Sequence, residues 1–256
     1  VRVMMPSIDK SPEAATLELV ERQRKLYEGS EIDVRLEHLI RDTPHPTLSS
    51  WDIQRLLHDS RAVYFDSHVE VVSGHHTDVY LRFESIARFP DLVTIIASNM
   101  AEWILQTFRH HPPTGILTTS SDARFLAERT SDILAPQMPL RVVLTPFNHE
   151  TGKIGTDIIQ GTVETGERFL SLNDVTTRGL CVSKLGKVVT DHGGQLAGMM
   201  VFARRDSGQF PLMDELTARF PFYFSVDLDM PQWDASDCHS CKDHKPLLSW
   251  RALPAL

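Results

Sequence analysis

The sequence predicts an α/β protein whose open, mostly parallel sheet is flanked by helices. Short apolar runs alternate with stretches of helical spacing along most of the 256 residues. The composition, 41% hydrophobic and 23% charged, is that of a globular protein. The longest apolar run, residues 196–203, is far shorter than the about 18 residues of a membrane span. In such sheets the ligand site lies at the carboxyl ends of the strands.

The first 50 residues are predicted to form a helical N-terminal arm. Ser11-Pro12-Glu13 is a typical helix start, and the helix is expected to end near Gly29. A shorter helix is expected over residues 32–40. Because apolar residues are sparse, we expect the arm to lie on the body of the protein or on a partner subunit.

The core is predicted to span residues 51–230, and a cysteine-containing tail to span residues 231–256. Strands and helices are predicted to alternate along the core. Strands are expected at residues 69–72, 79–83, 116–117, 141–144, 169–172 and 196–203, and helices at 51–57, 91–108, 121–134 and about 177–189.

Charge and cysteine content exclude several classes of function. Lys and Arg total 26 against 34 Asp and Glu, a net charge of −8, which argues against nucleic-acid and anionic-membrane binding. Three cysteines do not form a disulfide framework, and residues 1–6 lack the apolar core of a signal peptide. We therefore expect a cytoplasmic protein.

The most informative segment is residues 168–181, with the sequence RFLSLNDVTTRGLC. A hydrophobic strand ends in Asn173 and Asp174, and a Thr/Gly turn then opens a helix. Backbone N–H groups and hydroxyls at a helix N-terminus bind anions, and the helix dipole adds to the attraction. The segment is therefore predicted to hold a phosphate, with the acid placed to accept hydrogen bonds from neighbouring sugar hydroxyls.

This segment resembles the phosphoribosyl pyrophosphate (PRPP) signature of the type I phosphoribosyltransferases, and other segments extend the resemblance towards the orotate phosphoribosyltransferases. They occur in the family's order at residues 73–80, 118–123, 157–161, 191–198 and 233–241. The resemblance implies the type I fold, a homodimer and a Mg²⁺-dependent enzyme. Such an enzyme transfers 5-phosphoribosyl from PRPP to a nitrogenous base, with orotate the leading acceptor, and releases pyrophosphate.

The resemblance also implies roles for individual residues near the reacting carbon. Asp174, with Asn173 in place of the family's first acid, would hold the ribose hydroxyls of PRPP and its Mg²⁺. Ser120 and Ser121 would lie at the pyrophosphate, again with Mg²⁺. The transition state of this chemistry is oxocarbenium-like, so catalysis depends on positioning, charge and excluded water.

Further residues would bind the rest of PRPP. The 5′-phosphate would be held by Thr176, Thr177, Arg178, Gly179, Leu180 and Cys181. A mobile loop, residues 147–153, would close over the site, with His149 and Lys153 supplying positive charge. His75 and Tyr80 belong to the segment that resembles the family's Ser-Gly-Arg-x-Ser-x-x-Tyr sequence.

Four positions depart from the family pattern. Asn173 replaces a carboxylate, Val72 a lysine, His75 an arginine, and Cys181 a hydroxyl residue. Asn173 and the small number of cationic residues in the loop at residues 147–153 support an alternative: a PRPP- or nucleotide-binding sensor that has kept the fold and lost turnover. For His75 and His149, the plainer interpretation as solvated loop residues also stays open.

The tail carries the pattern C-x-x-C-x-x-H at Cys238, Cys241 and His244. A structural Zn²⁺ site needs about four nitrogen or sulfur ligands, and these residues offer three. Two interpretations stay open: a zinc site, or cysteines that are simply packed or free.

Overall fold

The computed structural model describes residues 11–45, 47–205 and 211–256. Residues 1–6, on which the signal-peptide prediction was based, lie outside these ranges. The chain enters through helices α1 (Pro12–Glu28) and α2 (Glu31–Leu39). The side chain of Ser11 accepts a hydrogen bond from the backbone N–H of Ala14 at 3.3 Å, which confirms the predicted helix start.

The elements that follow alternate as predicted, with several short strands added. They are β1 (Ile40–Asp42), α3 (Ser50–Ser60), β2 (Val63–Tyr64), β3 (Val69–Glu70), β4 (His76–Thr77), β5 (Tyr80–Leu81), α4 (Phe83–Ala87), α5 (Pro90–Thr107), β6 (Gly115–Thr119), α6 (Ala123–Leu134), β7 (Arg141–Thr145), β8 (Phe147–Asn148), β9 (Lys153–Ile154), β10 (Arg168–Thr176), α7 (Leu180–Asp191), β11 (Gln195–Arg205), α8 (Pro211–Arg219), β12 (Phe222–Leu228), α9 (His239–Lys242), β13 (Leu248–Ser249) and a 3-10 turn at Trp250–Ala252.

The main sheet has the strand order β1-β12-β11-β10-β6-β7. All neighbouring pairs are parallel except β1 with β12, which is antiparallel at one edge. Strand β10 lies between β11 and β6, so the carboxyl ends of these three strands share one edge of the sheet. The predicted mostly parallel sheet is confirmed.

Helices cover both faces of this sheet. On one face α5 and α6 pack against the strands through buried residues such as Met100 and Leu126. On the other face α7 packs through Leu185 and Val188, and α8 through Leu216. None of the helices in the described ranges combines the length and apolar content that a membrane span requires.

A smaller three-stranded sheet, β13-β3-β4, lies beside the carboxyl edge of the main sheet. Helix α2 packs into the main core through Ile32 and Leu36, which are fully buried. Helix α1 instead joins a second cluster, in which Leu19 packs with Tyr64 and Leu253. The first two helices thus rest on the body of their own chain. The domain boundaries at residues 50 and 230 stay a prediction.

Candidate functional site

Residues 176–181, which run from the end of β10 through the connecting loop into the first turn of α7, form a cradle at the carboxyl edge of the main sheet. Gly179 caps α7 with a φ of +80°, a left-handed conformation that favours glycine. A Cβ there would lie 2.9 Å from both Leu216 Cδ1 and Met213 Sδ, so these two side chains would have to shift to admit any other residue. The first N–H groups of α7 have no partner within the helix and are available to an anion.

Two polar side chains stand at the end of β10. Asp174 accepts a hydrogen bond from the backbone N–H of Val175 at 2.8 Å, whereas the buried Asn173 donates its amide to the carbonyl of Val175 at 3.2 Å. Burial raises the pKa of Asp174 to about 6, and the nearby Asp122 adds to the rise while Arg205 opposes it. The carboxyl of Asp174 therefore titrates close to neutral pH.

The end of β6 supplies the opposite side of the site. Ser121 lies just before α6 and accepts a hydrogen bond from the N–H of Ala123 at 3.3 Å, and its hydroxyl lies 2.6 Å from that of Thr119. Ser120 turns away and accepts from the N–H of Phe147 at 3.0 Å. Burial, reinforced by Glu84, raises the pKa of Asp122.

One cavity of about 460 Å³ lies between these two strand ends. It brings together ten of the residues predicted from the sequence. They are Tyr80, Ser121, His149, Asn173, Asp174, Thr176, Thr177, Arg178, Leu180 and Cys181. Four predicted residues, Ser120, His75, Lys153 and Gly179, do not line its wall. Burial, with the charge of Asp174, raises the pKa of the Cys181 thiol, which keeps it a neutral, weak donor.

The cavity also contains residues that the sequence analysis missed. Arg205 donates to the hydroxyl of Thr177 at 2.8 Å, and Arg82 pairs with Glu84 and donates to the carbonyl of Trp250 at 3.3 Å. Arg205 could have been found, because it ends the strand that pairs with β10 and strand ends carry the site. Arg82 and Trp250 come from the smaller sheets and gave no local signal.

His75 links the turn between β3 and β4 to the cradle. Its Nδ1 lies 2.9 Å from the hydroxyl of Ser73, and its Nε2 lies 3.1 Å from Oδ1 of Asp234. The same Nε2 contacts the guanidinium of Arg178. His75 thus contacts Arg178, which lines the cavity, rather than lining it itself, and its contact with Asp234 brings the tail to the same point.

The predicted mobile loop is a hairpin formed by β8 and β9. His149 at its tip is exposed and packs edge-on against Phe147, with ring centroids 5.1 Å apart. Lys153 is exposed. Arg251 donates to the carbonyl of Glu150 at 2.6 Å, so the tail holds the hairpin against the cavity.

Cys238 and Cys241 lie together in the tail, but their neighbours differ from the prediction. The side chains of His68 and His76 join them, with all four candidate ligand atoms within 4.8 Å of one another. His244, the histidine expected from the C-x-x-C-x-x-H pattern, is exposed and outside this group. The sequence pattern indicated His244 because it lies close to the cysteines in sequence, whereas His68 and His76 are distant from them in sequence.

No family model matches the chain. Among curated proteins, orotate phosphoribosyltransferase of Pyrococcus abyssi is 24% identical over 61% of this chain and 82% of its own length. The enzyme of Thermus thermophilus is 25% identical over 71% of this chain and 91% of its own length. A crystal structure of Mycobacterium tuberculosis orotate phosphoribosyltransferase with inorganic phosphate superposes with a TM-score of 0.50 and 17% identity, over 68% of this chain and 94% of that one.

The sheet order, the cradle and this structural likeness together define a protein of the type I phosphoribosyltransferase fold, as predicted. The relatives that match it in sequence are orotate phosphoribosyltransferases, which are enzymes, so the predicted resemblance to that family is confirmed.

Proposed function

We propose that this protein transfers 5-phosphoribosyl from PRPP to a nitrogenous base, with orotate as the acceptor, and releases pyrophosphate. The observation that carries the proposal is the single cavity that joins the cradle at residues 176–181, the pair Asn173 and Asp174, and the start of α6 at Ser121 and Asp122. A molecule that bears a phosphate, a ribose and a pyrophosphate would present one group to each of these three parts.

Each part supplies one element of the chemistry. The N–H groups at the start of α7 and the hydroxyl of Thr177 bind the 5′-phosphate. Asp174 accepts hydrogen bonds from the ribose hydroxyls, and its negative charge stabilises the cationic ribose as the bond from C1′ to pyrophosphate breaks. The base nitrogen then completes its bond to C1′ while the hairpin excludes water.

The residues present fit a Mg²⁺ ion. Mg²⁺ takes oxygen ligands, and the charge of Asp122 raises the pKa of Asp174, a cost of ionisation that a bound cation relieves. When bound together with PRPP, Mg²⁺ would neutralise charge that develops on the departing pyrophosphate. Asp174, Asp122 and the hydroxyl of Ser121 are the groups placed to hold it.

Orotate is favoured as acceptor by the arginines of the cavity. It carries a carboxylate, and Arg82, Arg178 and Arg205 line the cavity, together with the acidic residues Glu84, Asp122 and Asp174. Guanidinium groups bind carboxylates in two-pronged hydrogen bonds. The aromatic rings of Phe147 and Trp250 offer flat apolar surface to a heterocyclic ring.

The test is pyrophosphate release from PRPP and Mg²⁺, with orotate and then with a panel of other bases. We expect release that depends on orotate and falls to background in Asp174→Asn. Release only with another base would overturn orotate as the acceptor. A lack of PRPP binding in calorimetry would overturn the whole assignment.

A second candidate, a PRPP-binding sensor without turnover, is favoured by Asn173. Asn173 is uncharged and its amide donates a hydrogen bond to the carbonyl of Val175. The position therefore offers the ribose no second negative charge. Asn173→Asp separates the two candidates: it should raise turnover in a weakened enzyme and leave a sensor inactive. The homodimer implied by the resemblance and the cytoplasmic location expected from the cysteine content are part of the main proposal, and light scattering tests the former.

A further inference from the structure

A cluster of two histidines and two cysteines lies outside the cavity, where the tail meets the smaller sheet. His68 directly precedes β3 and His76 begins β4, so both come from one antiparallel pair of strands. Cys238 caps α9 and Cys241 lies within it. The cluster therefore joins two segments that are distant in sequence, through residue types that bind soft divalent metals.

The distances between the side-chain atoms are those of a tetrahedron around one ion. His68 Nε2 lies 3.2 Å from His76 Nδ1 and 3.5 Å from the sulfurs of both cysteines, and Cys241 Sγ lies 3.2 Å from His76 Nδ1. With Zn–N and Zn–S bonds of ordinary length, the edges of a Zn²⁺ tetrahedron are about 3.3 Å for N–N and about 3.6 Å for N–S. The N–N separation and the two N–S separations from His68 agree with these values within about 0.1 Å, and the separation of Cys241 Sγ from His76 Nδ1 is about 0.4 Å shorter.

A hydrogen bond holds His68 in the orientation that metal binding needs, and His76 has a carboxylate near its second nitrogen. His68 Nδ1 lies 3.0 Å from the carbonyl of Lys245, which can only accept, so Nδ1 carries the proton and the lone pair of Nε2 points at the cysteines. On the other side, His76 Nε2 lies 3.9 Å from a carboxylate oxygen of Glu70. Metal-binding histidines characteristically have such carbonyl or carboxylate partners on their second nitrogen.

Burial also distinguishes this cluster from exposed histidines and cysteines that lie near one another by chance. His68, His76 and Cys238 are buried and Cys241 is half-buried. Because the two thiols and two imidazoles converge on one point, the single lone pair of His68 Nε2 faces both sulfurs and also the ring of His76. Hydrogen bonds can use that lone pair once, whereas one metal ion engages all four atoms.

We propose that His68, His76, Cys238 and Cys241 bind one Zn²⁺ ion as a structural site. Four protein ligands complete a tetrahedron and leave no open position, as in structural rather than catalytic zinc sites. The site fastens the tail to β3 and β4, next to the antiparallel bridge between His76 and Trp233. From there Asp234 reaches His75, and His75 reaches Arg178 in the wall of the cavity.

The primary test is metal content of the full chain, purified under reducing conditions without chelator. We expect about one Zn²⁺ per chain by plasma mass spectrometry, falling below about 0.2 in Cys238→Ser and in His68→Ala. His244→Ala and Cys181→Ser are matched controls that should retain the metal. Loss of metal in His244→Ala would overturn this ligand set in favour of the C-x-x-C-x-x-H alternative.

A second measurement keeps the proposal testable if a variant fails to fold. The wild-type protein, stripped with a chelator and loaded with Co²⁺, should show the visible absorption and the sulfur-to-cobalt charge-transfer bands of a tetrahedral site. Absence of both bands with no Zn²⁺ uptake would overturn the proposal. A Cys238–Cys241 disulfide found in freshly reduced and repurified protein would overturn it as well. Neither readout requires activity, so both are independent of the proposed function.

Discussion

At the scale of single residues, Asp174 combines a functional position with an energetic cost. Its pKa in the folded protein, about 6, lies above that of an unfolded-chain aspartate, so the folded state holds the proton more tightly. The stability of the ligand-free protein should therefore fall as pH rises from about 4 to about 6. Asp174→Asn removes this loss, and we expect it to raise the free energy of unfolding at pH 7.5 by about 1–2 kcal/mol.

The same residue sets a pH dependence on activity. The carboxylate must be ionised to stabilise a cationic ribose, so kcat/KM, which reports the free enzyme, should rise with pH through about 6. Asp174→Asn should lower kcat/KM by about 10²-fold or more. Denaturant titration and initial rates on the same two proteins check both effects, and a flat wild-type profile between about pH 5 and 8 would contradict this role.

Gly179 permits a separate test of the cradle. Gly179→Ala must strain a left-handed backbone and also meet Leu216 and Met213, so we expect a loss of about 2–3 kcal/mol in stability and weaker PRPP binding. Gly166→Ala is the matched control, because Gly166 has a φ of +82° and open space around it. Melting curves with and without PRPP should separate the two variants, and equal effects would argue against a packing role for Gly179.

At the scale of elements, the hairpin β8–β9 is fastened by contacts with the tail. Gly152 at its turn packs closely against Val72 and Trp250, and the Arg251 guanidinium holds the carbonyl of Glu150. Arg251→Ala removes a charge-assisted hydrogen bond of about 1–2 kcal/mol. We expect faster hydrogen exchange at residues 148–152 and a KM for PRPP raised about two- to fivefold.

Arg109→Ala serves as the control for that variant. Arg109 is exposed and lies between α5 and β6, at the amino edge of the sheet and away from the hairpin. Its removal should change neither the exchange rates nor the KM. If Arg251→Ala leaves the exchange of the hairpin unchanged, the tail does not hold it in solution.

Elements with local signals were predictable from the sequence, and elements that depend on distant partners were not. Residues 168–181 are contiguous, so strand, cradle and helix could be placed together. Strand β12 was missed because Ser225 and Asp227 interrupt its apolar pattern, although both are buried. Ser225 has the hydroxyl of Tyr223 as its hydrogen-bond partner and Asp227 has the guanidinium of Arg204, so both polar side chains can be buried. The pairing of Asp227 with Arg204 becomes visible only once β11 and β12 lie side by side.

The residues of the candidate site also fall into those that the sequence predicts locally and those that depend on distant partners. The cradle residues and Ser121 follow strand ends, and the rule for parallel sheets locates them. Trp250 reaches the cavity from the tail, and His68 joins Cys238 across 170 residues of sequence. No periodicity or spacing within a window of sequence contains such contacts, so only the folded chain reveals them.

At the scale of the whole molecule, the tail closes a second core. Leu253 is fully buried with Leu19, Tyr64 and Leu248, and the hydroxyl of Tyr64 donates to the carbonyl of Pro254 at 2.6 Å. Leu253→Ala should lower the free energy of unfolding by about 2–4 kcal/mol, because it leaves a cavity in this core. Leu247→Ala is the control, since Leu247 is 40% exposed and should cost less than about 1 kcal/mol.

Denaturant unfolding of both variants measures the difference. Similar losses for the two leucines would show that the second core adds little to the stability of the chain. A separate early transition in Leu253→Ala alone would show that the tail unfolds before the main sheet.

The dependence of the cavity on Trp250 and Arg251 has a consequence for the order in which the protein matures. During synthesis the strands β6, β7, β10 and β11 are all complete well before these residues are made, and domains fold as their segments emerge. Contacts between residues so far apart in sequence also form slowly, because a long loop must close first. A newly made chain would therefore hold its central sheet before it has a closed cavity, and ligand binding would be the last property that it acquires.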